Sequence, residues 1–455
     1  MIILPGNRTP TAIYYGNRPV RSVYVGAKLV WPEAERYGIR SISLCKTHAA
    51  FVLNDGTLWT TGSNLHGQLC RTGASGSWNA PNLAPVPGVT DAKAVVTSNT
   101  VTGEGTTVVL RDHGRVWSAG YSTGPTLSVT ATEPRAYTSL GRSGISGSPT
   151  FCNFAEVLGL SDIRKLWLGR GRLLVQRGNG AVYGYGLDWN ANRVLFQWMQ
   201  VADTNGLPLA CSEMTLQCQS FVALHADGSV AVHGPIAGWS RPAEFYPQYT
   251  AVLEPVPTAT FLTGIRKVTA GLSHLAAVTR TGQLHVAGSD QYGQLGSRKF
   301  AFRNPQRGHL LDGEPVADVA CGDNHTVILC RDGRVKTAGR NHRGQLGRAV
   351  PVGNGHDWLF CTGSDRVTQE GWFGNAGFIP EIDDAVAIHA GGDGTMIIRK
   401  SGITVCGDNE FGQLGTATER HIVNGGDRPS WRESWQGTRT PFTTNLSNAN
   451  LFDSF

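Results

Sequence analysis

The sequence predicts an all-β fold: a seven-bladed β-propeller with a short N-terminal β-hairpin-like docking segment. Three observations carry that prediction. Glycine fills 58 of 455 positions while only 16% of residues are charged, the composition of many strands joined by tight turns. No long stretch shows helical spacing of apolar residues. One strand–turn–strand unit recurs seven times, and recurrence at a long period marks solenoids, propellers or arrays.

The unit is clearest in residues 265–296, IRKVTAGLSHLAAVTRTGQLHVAGSDQYGQLG, and 316–347, VADVACGDNHTVILCRDGRVKTAGRNHRGQLG. Residues 39–69 and 385–415 are two further copies. Three degenerate copies keep the middle of the unit, at 108–120, 173–186 and 222–234. The turn glycines are Gly56, Gly114, Gly180, Gly228, Gly282, Gly333 and Gly402, spaced 48 to 69 residues apart. A run such as LAAVTR alternates as a half-buried strand does, and Asp-Gly, Asn-Gly or Thr-Gly then turns the chain. Six turn glycines are followed by a second glycine six residues on; in the last copy the gap is five, so that hairpin is expected to differ by one residue. A single unit is a marginal sheet with exposed apolar faces, and stacking into a ring covers them. A four-stranded blade needs about 40–45 residues, so each unit carries an extra loop.

The pattern A-G-x-x-H … D-G-x-V-x-x-x-G-x-N-x-x-G-Q-L-G resembles the regulator of chromosome condensation repeat. It is carried by Gly271, His274 and Gly293–Gly296, by Gly322, His325 and Gly344–Gly347, by Gly412–Gly415, and by Gly67–Leu69 with Cys70 in place of the last glycine. The resemblance covers about residues 38–415 and implies a seven-bladed propeller. It further implies nucleotide exchange on a small GTPase for some members and protein inhibition for others. The glutamines Gln68, Gln294, Gln345 and Gln413 are expected to tie blade to blade, with the following leucines packed between sheets.

The propeller is bounded at 38–415, with 1–37 as a docking segment and 416–455 as an extension wrapping or closing the ring. Residues 20–32, VRSVYVGAKLVWP, resemble short modules of bacteriophage tail proteins. On that resemblance the expected function is a tail or baseplate adhesion protein, made in the host cytoplasm and carried in the virion. Its expected partners are other tail or baseplate proteins, through residues 1–37, and a host-surface glycan or protein, through the propeller loops. The alternative is a cellular protein-interaction propeller of the GTPase-regulator or protein-inhibitor type.

Catalytic chemistry is not expected. The sequence lacks a P-loop, H-E-x-x-H, G-x-S-x-G and G-x-G-x-x-G. Nine cysteines form no C-x-x-C pair, so no metal ribbon or redox motif is expected. His48, His274 and His325 hold the same place in different units, too far apart in a ring to ligate one ion. No cofactor is expected. The net charge of +6 is spread thinly without a basic run, which argues against nucleic acid. No stretch has the ~18 apolar residues of a membrane span. The candidate binding residues are therefore aromatics outside the repeat: Trp78, Trp189, Trp198, Trp239, Tyr246, Tyr249, Trp358 and Trp372. Exposed Trp and Tyr suit sugar stacking or protein hot spots.

Overall fold

The computed structural model describes residues 14–15, 18–19, 23–25, 28–31, 38–71, 79–99, 105–120, 154–157, 159–169, 172–185, 198–201, 209, 211–216, 221–233, 264–290, 292–296, 303–307, 314–341, 343–348, 373–400, 402–409, 411–415 and 444–445. Among these the chain is all-β apart from one 3-10 turn at Asp112–Gly114. Seven antiparallel sheets follow one another along the sequence, each in simple up-and-down order.

Blade 1 holds strands Ile39–Leu44, His48–Leu53, Leu58–Ser63 and Asn79–Pro85. Blade 2 holds Ala92–Asn99, Gly105–Arg111, Val116–Gly120 and Ala155–Glu156. Blade 3 holds Ile163–Gly169, Arg172–Arg177, Val182–Tyr185 and Trp198–Gln200. Blade 4 shows three strands among the described residues: Glu213–Leu216, Phe221–Leu224 and Val230–His233. Blade 5 is Ile265–Ala270, His274–Thr279, Leu284–Gly288 and Arg303–Arg307. Blade 6 is Val316–Cys321, His325–Cys330, Val335–Arg340 and Phe373–Phe378. Blade 7 is Ala385–Gly391, Gly394–Arg399, Gly402–Gly407 and, as its outer strand, Thr444–Asn445.

The core lies between blades rather than within them. Seven apolar clusters exist among the described residues, and each spans one junction. Val86, Val89 and Val109 join blades 1 and 2; Leu160 and Leu166 join 2 and 3; Trp167 and Met214 join 3 and 4. Val222 and Leu275 join 4 and 5, Leu295 and Ile328 join 5 and 6, and Val327 and Ile397 join 6 and 7. The seventh cluster closes the ring, setting Leu44 and Phe51 of blade 1 against Met396, Ile398 and Leu414 of blade 7. Burying this many large side chains contributes on the order of 20 kcal/mol per junction before chain entropy is set against it.

The hairpins behave as their sequences require. Gly56 donates its N–H to Leu53 O, and Asp55 Oδ1 accepts from Thr57 N at 2.8 Å. Asp227 and Asp332 bond the N–H two residues ahead in the same way. The turn glycines also serve the next blade. The carbonyls of Gly56, Gly228, Gly282 and Gly333 accept the N–H of Ala92, Ile265, Val316 and Ala385, where the following inner strands begin. In blade 7, Arg399 pairs with Gly402 across a two-residue loop, which accounts for the shorter glycine spacing. Tyr14–Tyr15 pairs with Arg18–Pro19, and Val23–Val25 with Lys28–Trp31, as two hairpins in sheets separate from the blades.

Gly180 and Gly333 share φ of +86°, but a Cβ at Gly180 meets nothing within 4 Å whereas one at Gly333 falls 2.3 Å from Asp383 O, in the chain that enters blade 7. Gly180→Ala is expected to cost about 1 kcal/mol, the backbone penalty alone. Gly333→Ala is expected to cost about 3 kcal/mol or more, because the junction must also move. Denaturant midpoints of the two variants check this; equal losses would contradict the junction role.

Candidate functional site

The repeated polar residues meet at the blade junctions. His48 Nε2 lies 2.8 Å from Thr107 Oγ1 in blade 2, and that hydroxyl donates to Gln68 O at 2.6 Å. The same relay runs from His274 through Thr326 to Gln294 O and from His325 through Thr395 to Gln345 O. A threonine hydroxyl has one proton. Since it is given to the glutamine carbonyl, the histidine must donate from Nε2, which the neutral Nε2–H tautomer does. Burial agrees: the three rings are fully enclosed, and desolvation pushes them down to about 3 for His48, about 4 for His274 and about 3 for His325. The ring edges of His274 and His325 lie over Gly271 and Gly322, where a Cβ would fall 2.3 Å and 2.0 Å from Cε1. In blade 1 this position is Cys45, whose Sγ sits 3.1 Å from His48 Nδ1.

The G-Q-L turns are built on two side chains. Asn64, Asp290, Asn341 and Asn409 accept the N–H of the leucine five residues on. Gln68, Gln294, Gln345 and Gln413 accept through Oε1 the N–H two residues back. Two of the amide nitrogens reach the next blade, Gln345 Nε2 to Asp393 Oδ1 at 2.9 Å and Gln413 Nε2 to Lys46 O at 3.0 Å. The second bond crosses from blade 7 to blade 1, as does Thr61 Oγ1 to Gly412 O at 2.8 Å. Leu69, Leu295, Leu346 and Leu414 are buried.

The turns that connect the first and second strands of blades 5, 6 and 7 are joined through backbone. Leu272 N donates to Asp323 O, and Asp323 N to Gly392 O. Asp393 follows Gly392 in the blade 7 turn. Burial, then the neighbouring Asp323, pushes its carboxyl up to about 6; Arg340 and Lys46 pull it down and Asp408 adds to the rise. Among the described residues no three His, Cys, Asp or Glu side chains gather as a metal set.

Of the aromatic binding candidates, only Trp198 falls within the described residues. It sits in the outer strand of blade 3, opposite Tyr185, and packs against the cluster between blades 2 and 3. Trp78, Trp189, Trp239, Tyr246, Tyr249, Trp358 and Trp372 lie outside the described residues. Sequence reasoning missed Thr107, Thr326 and Thr395, the centres of the relays. For Thr326 the signal was present: it follows the repeat histidine directly.

Residues 265–294 and 316–345 match the family description Regulator of chromosome condensation (RCC1) repeat, and residues 281–329 match a second description of the same repeat. Residues 265–345 carry RCC1 repeats. A bovine secretion-regulating guanine nucleotide exchange factor is 25% identical over 380 residues, 82% of this chain and 68% of that one. The mouse serine/threonine-protein kinase Nek9 is 28% identical over 206 residues, 44% of this chain; those residues span only 18% of the kinase. Among solved structures, Prp20p of Saccharomyces cerevisiae, described with its binding properties to Gsp1p and histones, superposes with a TM-score of 0.60 at 15% identity, covering 86% of this chain and 87% of that one. That likeness shows the propeller fold.

These matches correct the viral reading. The relatives are cellular proteins, among them a nucleotide exchange factor, and the tail or baseplate role, the virion location, and the tail-protein and host-glycan partners are withdrawn. The physical reason is plain. Residues 20–32 alternate around Gly26 as any β-hairpin does, and the hairpin Val23–Val25 with Lys28–Trp31 is what that pattern encodes. A pattern shared by all hairpins identifies none.

The relays fix a pH dependence. Between about pH 6.5 and pH 4 the unfolded chain protonates His48, His274 and His325 while the folded chain leaves them neutral. Stability is therefore full above pH 6.5 and falls as pH drops, by up to about 1.4 kcal/mol per pH unit for each ring. Asp393, raised to about 6, works the other way between pH 6 and its unfolded value. Melting temperatures from pH 7.5 to pH 5 are expected to fall; a flat or rising profile would contradict neutral, buried rings.

Proposed function

We propose that this chain is a protein-interaction propeller of the GTPase-regulator type. The observation that carries the reading is the alignment with the bovine exchange factor across 82% of the chain. The described polar residues of the repeat support it, because they are spent on the frame. His48, His274 and His325 hold neighbouring blades, the G-Q-L glutamines hold their own turns, and all of them are buried. Nucleotide exchange needs no covalent chemistry: the regulator binds the GTPase conformation that holds nucleotide poorly and shifts the population toward it.

On this reading the frame spans 38–415, and recognition falls to connections outside the repeat. Those connections include the ones carrying Trp78, Trp189, Trp239, Tyr246, Tyr249, Trp358 and Trp372. Segments 1–37 and 416–455 flank the frame.

Release of a fluorescent GDP analogue from a panel of small GTPases, Gsp1p among them, tests the reading. The purified chain is expected to speed release from at least one GTPase by about tenfold or more, a barrier lowered by ~1.4 kcal/mol. No acceleration on any of them, together with no complex on gel filtration, would overturn it.

A further inference from the structure

We propose that the hairpin-turn face around blade 5 carries an oxyanion-binding site, formed by Arg266, Arg280 and Arg331, that takes an acidic or phosphorylated segment of a partner protein. The proposal goes beyond GTPase regulation and does not depend on it.

The site follows from how the inner strand starts. In blades 1, 2, 3, 5, 6 and 7 that strand slips register at its second residue, leaving Arg40, Lys93, Arg164, Arg266, Ala317 and Val386 outside the ladder. A residue released this way bends the strand and turns its side chain outward. In blade 5 the released residue is Arg266, and it is exposed. Its Nη2 donates to Val316 O at 3.3 Å and to Ala317 O, both at the start of blade 6. Val316 is also the residue whose N–H bonds Gly282 O in the blade 5 hairpin. Arg331, from the blade 6 turn, donates through Nη2 to Thr281 O at 3.1 Å and sits 3.2 Å from where a Cβ on Gly282 would lie. Arg280 precedes that turn and reaches back to Ala226 O of the blade 4 hairpin at 3.1 Å. The exposed guanidiniums of Arg266 and Arg331 thus lie beside the blade 5 hairpin and the start of blade 6, and that of Arg280 lies at the adjoining blade 4 hairpin.

Carbonyls anchor these side chains, and among the described residues no carboxylate pairs with them. Each guanidinium uses one nitrogen for its anchor and keeps further N–H groups in a fixed fork, the geometry that receives carboxylate or phosphate. The nearby carboxylates are committed elsewhere. Asp332 and Glu314 pair with Arg334, Glu314 also with Lys336, and Asp318 with Lys267. Asp227 accepts from Ser229 N and Oγ within its own turn. Held in place by the blade junction, the three forks lose little freedom on binding. Arg40 provides an internal control: it is anchored the same way, on Ala92 O and Asn54 O, but in blade 1.

The test uses the full chain and two fluorescent peptides of equal charge, one glutamate-rich and one phosphoserine-bearing, read by anisotropy at low and at physiological salt. Binding of at least one is expected. The variant Arg266→Gln/Arg280→Gln/Arg331→Gln is expected to weaken it by about tenfold or more, and Arg40→Gln by less than about twofold. The stronger peptide identifies the source of the oxyanion. Thermal melts confirm that each variant is folded; if the triple variant is not, Arg280→Gln/Arg331→Gln is used. No binding by the unaltered chain, equal loss with Arg40→Gln, or equal binding of a single-stranded oligonucleotide would overturn the proposal.

Discussion

A buried threonine hydroxyl shared between two blades is the constraint on which the clearest part of this ring depends. At junctions 1/2, 5/6 and 6/7 it accepts from a histidine of one blade and donates to the G-Q-L carbonyl of that same blade. Apolar clusters supply most of the gross stabilisation, but oil-like faces do not by themselves fix an angle between sheets. The relay does, because a buried donor or acceptor left unpaired costs about 1–3 kcal/mol. Two blades that slide relative to one another lose two bonds at once. The glycines at Gly271 and Gly322 belong to the same device, since the histidine rings occupy the space a side chain there would need.

The remaining junctions are built with other means. Blades 2 to 4 lack the G-Q-L turn, and the contact between blades 3 and 4 leans on Trp167, whose Nε1 donates to Glu213 Oε1 at 2.7 Å across the junction. At the closing seam, Gly394 stands where blades 1, 5 and 6 have histidine, and Ala49 where the relay needs threonine. Two substitutes appear there. Thr61 reaches Gly412 O, where the equivalent residues Ala119, Ala287 and Ala338 have no hydroxyl, and Gln413 reaches Lys46 O. Among the described residues no strand of the N-terminal half enters the sheet of blade 7. Among the described residues, closure rests on these side chains and the seventh apolar cluster.

Much of the frame was legible in the sequence. Seven turn glycines marked seven blades because a two- or three-residue hairpin leaves few alternatives to glycine, and the five-residue gap at Gly402 foretold the shorter loop. The outer strand of blade 7 was only half legible. The extension 416–455 is expected to wrap or close the ring, yet nothing local distinguishes Thr444–Asn445 from its polar neighbours. The threonine relay was missed because Thr107 lies 59 residues from His48 and Thr395 lies 70 from His325; periodicity shows strands, not what faces what across a junction. The tail-protein reading failed for the opposite reason, a local pattern being given more weight than a hairpin alternation can bear.

A closed ring requires that blade 7 abut blade 1 as closely as any two neighbouring blades do. Pulsed electron-electron distance measurement tests it directly, with spin labels carried on unnatural amino acids so that the native cysteines are spared. One pair is placed at Thr281 and Asp332, on the exposed turns of blades 5 and 6, and the other at Asp55 and Lys400, on the exposed turns of blades 1 and 7. A closed ring predicts narrow, similar distributions for the two pairs. A long or broad distribution for Asp55 and Lys400 beside a short one for Thr281 and Asp332 would show an open spiral and contradict the account.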